Sequence, residues 1–119
     1  MNNFDEIKHR LRAFCTERDW DQFHSPKNLA MALCVESAEL LEHFQWLTEA
    51  QSAALPVDKL AAVAQEIADV QIFLIRLADR LDIDIDAAVA AKLALNEQKY
   101  PVDKARGNAL KYTEFDDGE

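Results

Sequence analysis

Apolar residues recur at steps of three and four along most of this chain, which is the spacing of amphipathic α-helices. The pattern predicts a first helix from about Asn3 to Asp19, followed by a loop of polar and aromatic residues at 20–24. Ser25 and Pro26 then have the positions of an N-cap and a first helical residue. The second helix carries its large apolar residues on one face: Leu29, Leu33, Leu40, Phe44 and Leu47.

The third predicted helix has the most regular pattern, with steps that alternate between three and four as in a bundle helix. Its apolar positions are Leu60, Val63, Ile67, Val70, Leu74, Leu77 and Leu81. Asp58 is expected to cap this helix, and the capping box at 48–51 predicts a short helical turn before it. Asp84 is expected to cap a fourth helix, which ends near Lys99 because Pro101 follows.

Length and composition agree with these helices. A chain of 119 residues is expected to form one domain, over 1–119, in which 101–119 is a tail that is first basic and then acidic. Half of the residues are hydrophobic and only two are glycine, which favours packed helices. The fold class predicted is all-α, with the architecture of a four-helix bundle.

Charge and cysteine content limit the possible partners and the cellular compartment. A formal net charge of −9 argues against nucleic acid as a partner, because such surfaces are normally basic. The sequence has no uncharged apolar stretch of about 18 residues, so no membrane span is expected. The N-terminus does not resemble a signal peptide, and we expect a cytoplasmic protein. Cys15 and Cys34 form no CxxC motif and are interpreted as reduced core residues.

Two acidic pairs are the main candidates for chemistry. Glu36 and Glu39 lie on the second helix, and Glu66 and Asp69 lie on the third. A spacing of three residues places both carboxylates of a pair on one helix face. Four carboxylates on two facing helices would repel one another without a cation between them. Oxygen ligands of this kind suit Mg²⁺ first and Mn²⁺ second, and such a site is typical of phosphate chemistry.

Other interpretations of the acidic pairs remain open. Either pair alone is typical of a solvated helix face, but small apolar neighbours and the adjacency of the two helices favour a metal site. A di-iron bundle requires two Glu-x-x-His motifs, and the chain has one, at Glu6 and His9. The principal alternative to an enzyme is a non-catalytic interaction module that uses the apolar seam of the third helix.

Aromatic residues near the acidic pairs are candidates for base binding. Trp20 and Trp46 could stack on a nucleobase or could close the ends of the bundle. His24 and Asn28 could bind base or sugar, or could cap the second helix. Phe73 extends the stripe of Glu66 and Asp69 along the third helix.

Basic and polar residues near the C-terminus are candidates for phosphate binding. Lys92, Asn96 and Lys99 share one helix face, and Arg106 continues the positive charge. Lysine at a helix C-terminus is also favoured by the helix dipole alone. We interpret the segregation of positive charge, in a chain that is otherwise acidic, as suited to an anion bound between the metal and the tail.

The ordered combination of these motifs resembles a known family. ExxE, then ExxD, then the run from Lys92 to Pro101 with the pattern KxxxNxxKYP, is similar to the MazG-like branch of the all-α nucleotide pyrophosphohydrolases. The closest likeness is to the small, single-domain dCTP pyrophosphatase type. The resemblance implies hydrolysis of nucleoside triphosphates between the α and β phosphates, with dCTP the best single candidate among deoxynucleotides.

The resemblance also implies roles for individual residues. The Mg²⁺ ligands and catalytic carboxylates would be Glu36, Glu39, Glu66 and Asp69. Trp20 and Trp46 would border the base, with His24 and Asn28 nearby. Sugar and phosphates would meet Asn96, Lys99, Tyr100 and Arg106. The chain departs from the family pattern at Phe73, where relatives often have Tyr, and at Leu11, where eukaryotic members often have His.

A homo-oligomer is expected, as a tetramer rather than a dimer. The third helix is apolar on more than one side, with Leu74 and Leu77 on one and Ile72 and Ile75 on another. Apolar surface of this kind is usually buried against a partner. The resembled family also assembles its sites at contacts between subunits.

Overall fold

The structure, a computed structural model, describes residues 3–115 and is helical without strands over that range. The all-α class is therefore confirmed. The helices, in chain order, are α1 (Asn3–Glu17), α2 (Pro26–Glu42), α3 (Glu49–Ser52), α4 (Val57–Arg80), α5 (Ile85–Lys99) and α6 (Val102–Ala105). Short 3₁₀ turns occur at Asp21–Phe23 and Tyr112–Glu114. Internal contacts divide the chain into two units, one ending at Ile83 and the other starting at Asp84.

The first unit is organised around α4, which packs against both α2 and α1. Its buried apolar residues come from all three helices: Cys15, Leu29, Val63, Ile75 and Ala78. The core is small, because α4 is buried along only part of the seam that its sequence suggests. Leu60 and Ile67 belong to that seam and are exposed, although Val63 between them is buried.

Three of the predicted helix starts are confirmed by hydrogen bonds. The Ser25 hydroxyl accepts from the backbone N–H of Asn28, and Pro26 occupies the first turn, where its missing N–H loses nothing. Thr48 and Gln51 form the reciprocal capping box at the start of α3. The Asp84 carboxylate accepts from the Ala87 N–H at 3.1 Å and caps α5.

The predicted cap at Asp58 is wrong. The N-cap is two residues earlier, at Pro56, which makes no side-chain hydrogen bond, and helix α4 starts at Val57. Because proline before a helix already fixes the entry of the backbone, the helix can start without a carboxylate cap. Asp58 lies in the first turn instead, where its charge is favourable toward the helix dipole.

Two predicted helix ends are also wrong. Helix α1 stops at Glu17, two residues early, because Asp19 adopts the left-handed conformation with φ +54°. Helix α2 stops at Glu42, so Phe44, Trp46 and Leu47 do not continue its face. The backbone there tightens into turns, in which the His43 and Phe44 N–H groups donate to carbonyls three residues earlier.

The surface of the first unit carries many large apolar residues. Met31, Val35 and Leu41 on α2 are exposed, as are several positions on α4.

Cys34 is exposed too, so its assignment to the core is wrong, whereas Cys15 is buried as expected. Among the helices that the structure describes, none is long and apolar enough to cross a membrane.

The second unit consists of α5, α6 and the segment after them. Tyr100, which ends α5, makes edge-to-face contacts with Tyr112 and Phe115, with ring centroids 6.1 and 5.6 Å apart. The Lys99 ammonium lies 4.8 Å from the centroid of the Tyr112 ring. Gly107 turns the chain with φ +80°, a conformation that glycine adopts without strain.

Candidate metal centre

Three of the four predicted carboxylates converge where α2 packs against α4. One oxygen from each of Glu36, Glu39 and Glu66 lies within 4.8 Å of the other two. All three side chains are partly buried. The spacing of three residues on α2 aligns Glu36 with Glu39, and the packing of α4 brings Glu66 to them.

Asp69 lies outside this group of three. It is exposed on α4, one turn beyond Glu66. Its negative charge nevertheless acts on Glu36, where it is one of the causes of a raised pKa. The structure thus brings together three of the predicted ligands and leaves the fourth at the edge.

The electrostatics of the cluster favour a bound cation. Burial is the first cause that raises the pKa of Glu36, followed by a hydrogen bond with Glu39 and the charges of Glu39, Asp69 and Glu66. Within residues 3–115, Glu36 Oε2 and Glu66 Oε2 are buried without a hydrogen-bond partner. Buried carboxylate oxygens without partners are destabilising. An all-oxygen set with unsatisfied acceptors fits a hard divalent ion.

His43 also reaches this centre. Its Nε2 lies 3.8 Å from Glu66 Oε1, and both side chains are 21% exposed. His43 is the first residue after α2, so the contact crosses from the end of that helix to α4.

The loop that carries Trp20 is held by its own side chains. The Asn28 amide donates to the Phe23 carbonyl at 3.0 Å, so Asn28 closes the loop onto α2, which is the capping role considered as its alternative. The Trp20 ring makes edge contacts with Phe14 and His24, at centroid distances of 5.5 and 6.3 Å. Trp20 remains partly exposed and able to contact a ligand.

His24 is bound on one side within the first unit. Its Nδ1 accepts from Arg76 Nε at 3.2 Å and lies 3.7 Å from Cys15 Sγ. Burial and the positive charge of Arg76 lower the pKa of His24, which favours the neutral ring. Any hydrogen bond from this residue to a substrate must therefore come from Nε2.

A charge network around Arg76 was missed by the sequence analysis. The Arg76 residue is only 4% exposed, and its guanidinium pairs with Asp21 of the loop and lies 3.9 Å from Asp79. The Asp79 carboxylate in turn accepts two hydrogen bonds from the Arg12 guanidinium of α1, at 2.8 and 2.6 Å. This bidentate pair holds the pKa of Asp79 below the usual range. A cavity of about 350 Å³ lies beside these groups. One signal was available: Arg76 follows Ile75 within an apolar stretch.

The other two aromatic candidates, Trp46 and Phe73, lie outside the loop that carries Trp20. Trp46 is 87% exposed, in the turn after α2. Phe73 is partly buried on α4, four residues beyond Asp69, and so shares its helix face.

The candidates for sugar and phosphate binding all lie in the second unit. Lys92 and Asn96 are on α5, where Lys92 is exposed and Asn96 partly buried. Lys99 and Tyr100 belong to the aromatic cluster with Tyr112, and Arg106 is exposed after α6.

A helical fold with a cluster of carboxylates between two long helices agrees with the nucleotide pyrophosphohydrolase that the sequence motifs suggest, and comparison with known proteins identifies the family. A model of the MazG-like family matches residues 31–115. The chain belongs to the MazG-like family.

Several relatives are similar over nearly the whole chain. It is 44% identical to dCTP pyrophosphatase 1 of Mus musculus over 116 residues, covering 96% of this chain and 68% of the mouse protein. Identity to dCTP pyrophosphatase 1 of Homo sapiens is 40% over 117 residues, with 96% and 68% covered. A crystal structure of a pyrophosphatase from Archaeoglobus fulgidus matches with a TM-score of 0.80 and 39% identity, covering 85% of this chain and 94% of that one.

Proposed function

We propose that this protein hydrolyses deoxynucleoside triphosphates to the monophosphate and pyrophosphate, and so removes unwanted nucleotides from the cellular pool. The relatives named dCTP pyrophosphatase 1 support this activity. The observation in the structure that carries the proposal is the convergence of Glu36, Glu39 and Glu66, with two buried oxygens that have no partner among the described residues. An interaction module would gain nothing from grouping these acids, so the enzyme is favoured.

The carboxylates are proposed to hold Mg²⁺, with Mn²⁺ as the second candidate. Glu36, Glu39 and Glu66 would supply ligand oxygens, and Asp69 would be the fourth acidic residue. When bound, the ion supplies charge neutralisation for the phosphates and lowers the pKa of the attacking water. One carboxylate of α2, Glu36 or Glu39, would accept the proton of that water.

The substrate is proposed to be dCTP or several deoxynucleotides. Trp20 and Trp46 are partly or largely exposed aromatic rings, as base stacking requires. The other residues proposed to meet substrate are His24, Asn28, Phe73, Lys92, Asn96, Lys99, Tyr100 and Arg106. Stacking tolerates any base, so preference for cytosine must come from polar groups such as His24 Nε2.

The assembly is proposed to be a homotetramer of single-domain chains, each with the four-helix bundle architecture. Exposed apolar residues of α2 and α4, such as Val35 and Ile67, support burial against a second copy. The excess of acidic residues supports a protein that does not bind nucleic acid. The proposed location of the protein is the cytoplasm.

The test is a pyrophosphate-release assay across the eight common ribo- and deoxynucleoside triphosphates, with Mg²⁺ or with EDTA. We expect Mg²⁺-dependent release that is fastest with dCTP. Glu39→Gln should abolish nearly all turnover, since it removes one ligand charge. Glu42→Gln is the matched control, because Glu42 is exposed on the same helix three residues further on. Wild-type turnover in Glu39→Gln would refute the assigned site, and no release with any nucleotide would refute the function.

A further inference from the structure

His43 has a contact that the proposed activity does not yet explain. Its Nε2 faces Glu66 Oε1 at 3.8 Å, across the packing of α2 against α4. We propose that His43 is a positioning residue, which holds the Glu66 carboxylate in the orientation that binds the divalent ion. This inference rests on the proposed metal-dependent function.

The position of His43 depends on where α2 ends. The helix stops at Glu42, and the His43 N–H bonds to the Leu40 and Leu41 carbonyls as the backbone tightens. With φ −69° and ψ −19°, His43 keeps a right-handed helical backbone and stays on the stripe of Glu36 and Glu39. Its side chain there contacts Glu66 of α4 and is only about one-fifth exposed. His43 is therefore fixed by backbone hydrogen bonds on one side and by partial burial on the other.

Glu66 needs such a partner because its neighbours repel it. Ligand oxygens of Glu36 and Glu39 lie within 4.8 Å of it, so three negative side chains share one small region. A glutamate side chain also loses rotamer freedom when it is held in one orientation. An imidazole N–H directed at Glu66 Oε1 offsets both the repulsion and the loss of rotamer freedom while no ion is bound. Partners of metal-binding carboxylates typically affect metal affinity by about 10–100-fold.

The contact is available in either protonation state of His43. Nε2 carries a hydrogen in the imidazolium and in one neutral tautomer, and each of these forms can donate to a carboxylate oxygen. The separation of 3.8 Å exceeds a hydrogen bond, which for N–H···O is about 2.7–3.2 Å. A small movement of the Glu66 side chain would close this gap.

The geometry distinguishes a positioning residue from a ligand. The group of mutually close donor atoms contains Glu36, Glu39 and Glu66, and among the described residues His43 is outside it. Loss of a nitrogen ligand would weaken Mn²⁺ binding more than Mg²⁺ binding, because imidazole suits the softer ion. Loss of a residue that only positions Glu66 would weaken the binding of Mn²⁺ and of Mg²⁺ by a similar factor.

The experiment measures Mn²⁺ binding by electron paramagnetic resonance of the free ion and Mg²⁺ binding by calorimetry, without nucleotide. The variants are His43→Leu and His43→Gln. His9→Leu is the matched control, since His9 is an exposed histidine on α1. We expect His43→Leu to raise both dissociation constants by about tenfold or more. His43→Gln should recover part of this loss through its amide N–H, and His9→Leu should bind like the wild type.

Two results would overturn the inference. One is a pair of dissociation constants within twofold of wild type in His43→Leu, and the other is a loss confined to Mn²⁺, which would make His43 a ligand. Thermal unfolding in EDTA checks that the variants are folded. If His43→Leu is not folded, His43→Gln is used for the binding measurements in its place. If the wild type binds neither ion, the proposed function itself fails. If the wild type binds metal and releases pyrophosphate while His43→Leu is unchanged, only the role of His43 is rejected.

Discussion

The buried guanidinium of Arg76 is expected to be a major contributor to the stability of the first unit. It connects α4 to the loop through Asp21 and His24, and it lies beside Asp79, which is held by α1. Arg76→Ala removes all of these contacts at once. The loop that carries Trp20 would then lose its charged connection to the core.

The magnitude follows from what the substitution leaves behind. Removing one partner of a buried ion pair costs about 3–5 kcal/mol, because the other charge remains without compensation. Here Asp79, at 9% exposure, keeps Arg12 as a partner. Asp21 loses its partner, but at 44% exposure it can be hydrated instead. Both facts place the expected loss of unfolding free energy near the lower end of this range, at about 3 kcal/mol.

Urea unfolding at a fixed chain concentration measures this loss, since the stability of an oligomer depends on concentration. Arg80→Ala is the matched control, because Arg80 is an exposed arginine on the same helix, and it should change the free energy of unfolding by less than about 0.5 kcal/mol. Arg76→Met keeps much of the packed side-chain stem and should still be destabilised if charge pairing is responsible. A loss below about 1 kcal/mol in Arg76→Ala would refute this reasoning, because it would mean that the network is worth no more than a surface pair.

Three further predictions concern the metal centre, the base site and the assembly. Folding raises the pKa of Glu36, so in EDTA this residue opposes folding at neutral pH. Glu36→Gln should therefore raise the free energy of unfolding at pH 7. This gain in stability should vanish below about pH 4, where Glu36 is protonated in both the folded and the unfolded state. A gain that persists below about pH 4 would contradict the electrostatic cause. Trp46→Ala should raise KM at least about fivefold for every accepted base, given about 1–3 kcal/mol per stacked base. Its unfolding should be unaffected, because Trp46 is 87% exposed, and unchanged kinetics would place the base elsewhere. Sedimentation velocity at micromolar concentration should show four chains per particle, and a monomer would rule out the proposed assembly.

The features that the sequence predicted well are local ones. The caps at Ser25, Thr48 and Asp84 depend on residues within three positions of each other, and all three are confirmed. The helix period also brought Glu36 and Glu39 onto one face. The approach of Glu66 required only that α2 and α4 be neighbours, as elements close in sequence usually are.

The features that the sequence did not predict depend on distant partners, on the point at which a helix ends, or on which helix face is covered. Arg76 is buried because Asp21, 55 positions away, and Asp79 compensate its charge. The end of α2 at Glu42 is set by a switch to tighter turns, although the apolar pattern continues through Phe44 and Leu47. Periodicity alone also could not show that Cys34 faces outward.

The different surroundings of the two tryptophans, which are the only ones in the chain, make the protein its own optical reporter. Trp20 is in contact with other rings, whereas Trp46 is almost fully in water, so their emission should differ in wavelength and in access to soluble quenchers. Because both are proposed to border the base, nucleotide binding should shift this emission without any label. Substitution of either tryptophan would then assign each part of the signal to one side of the base.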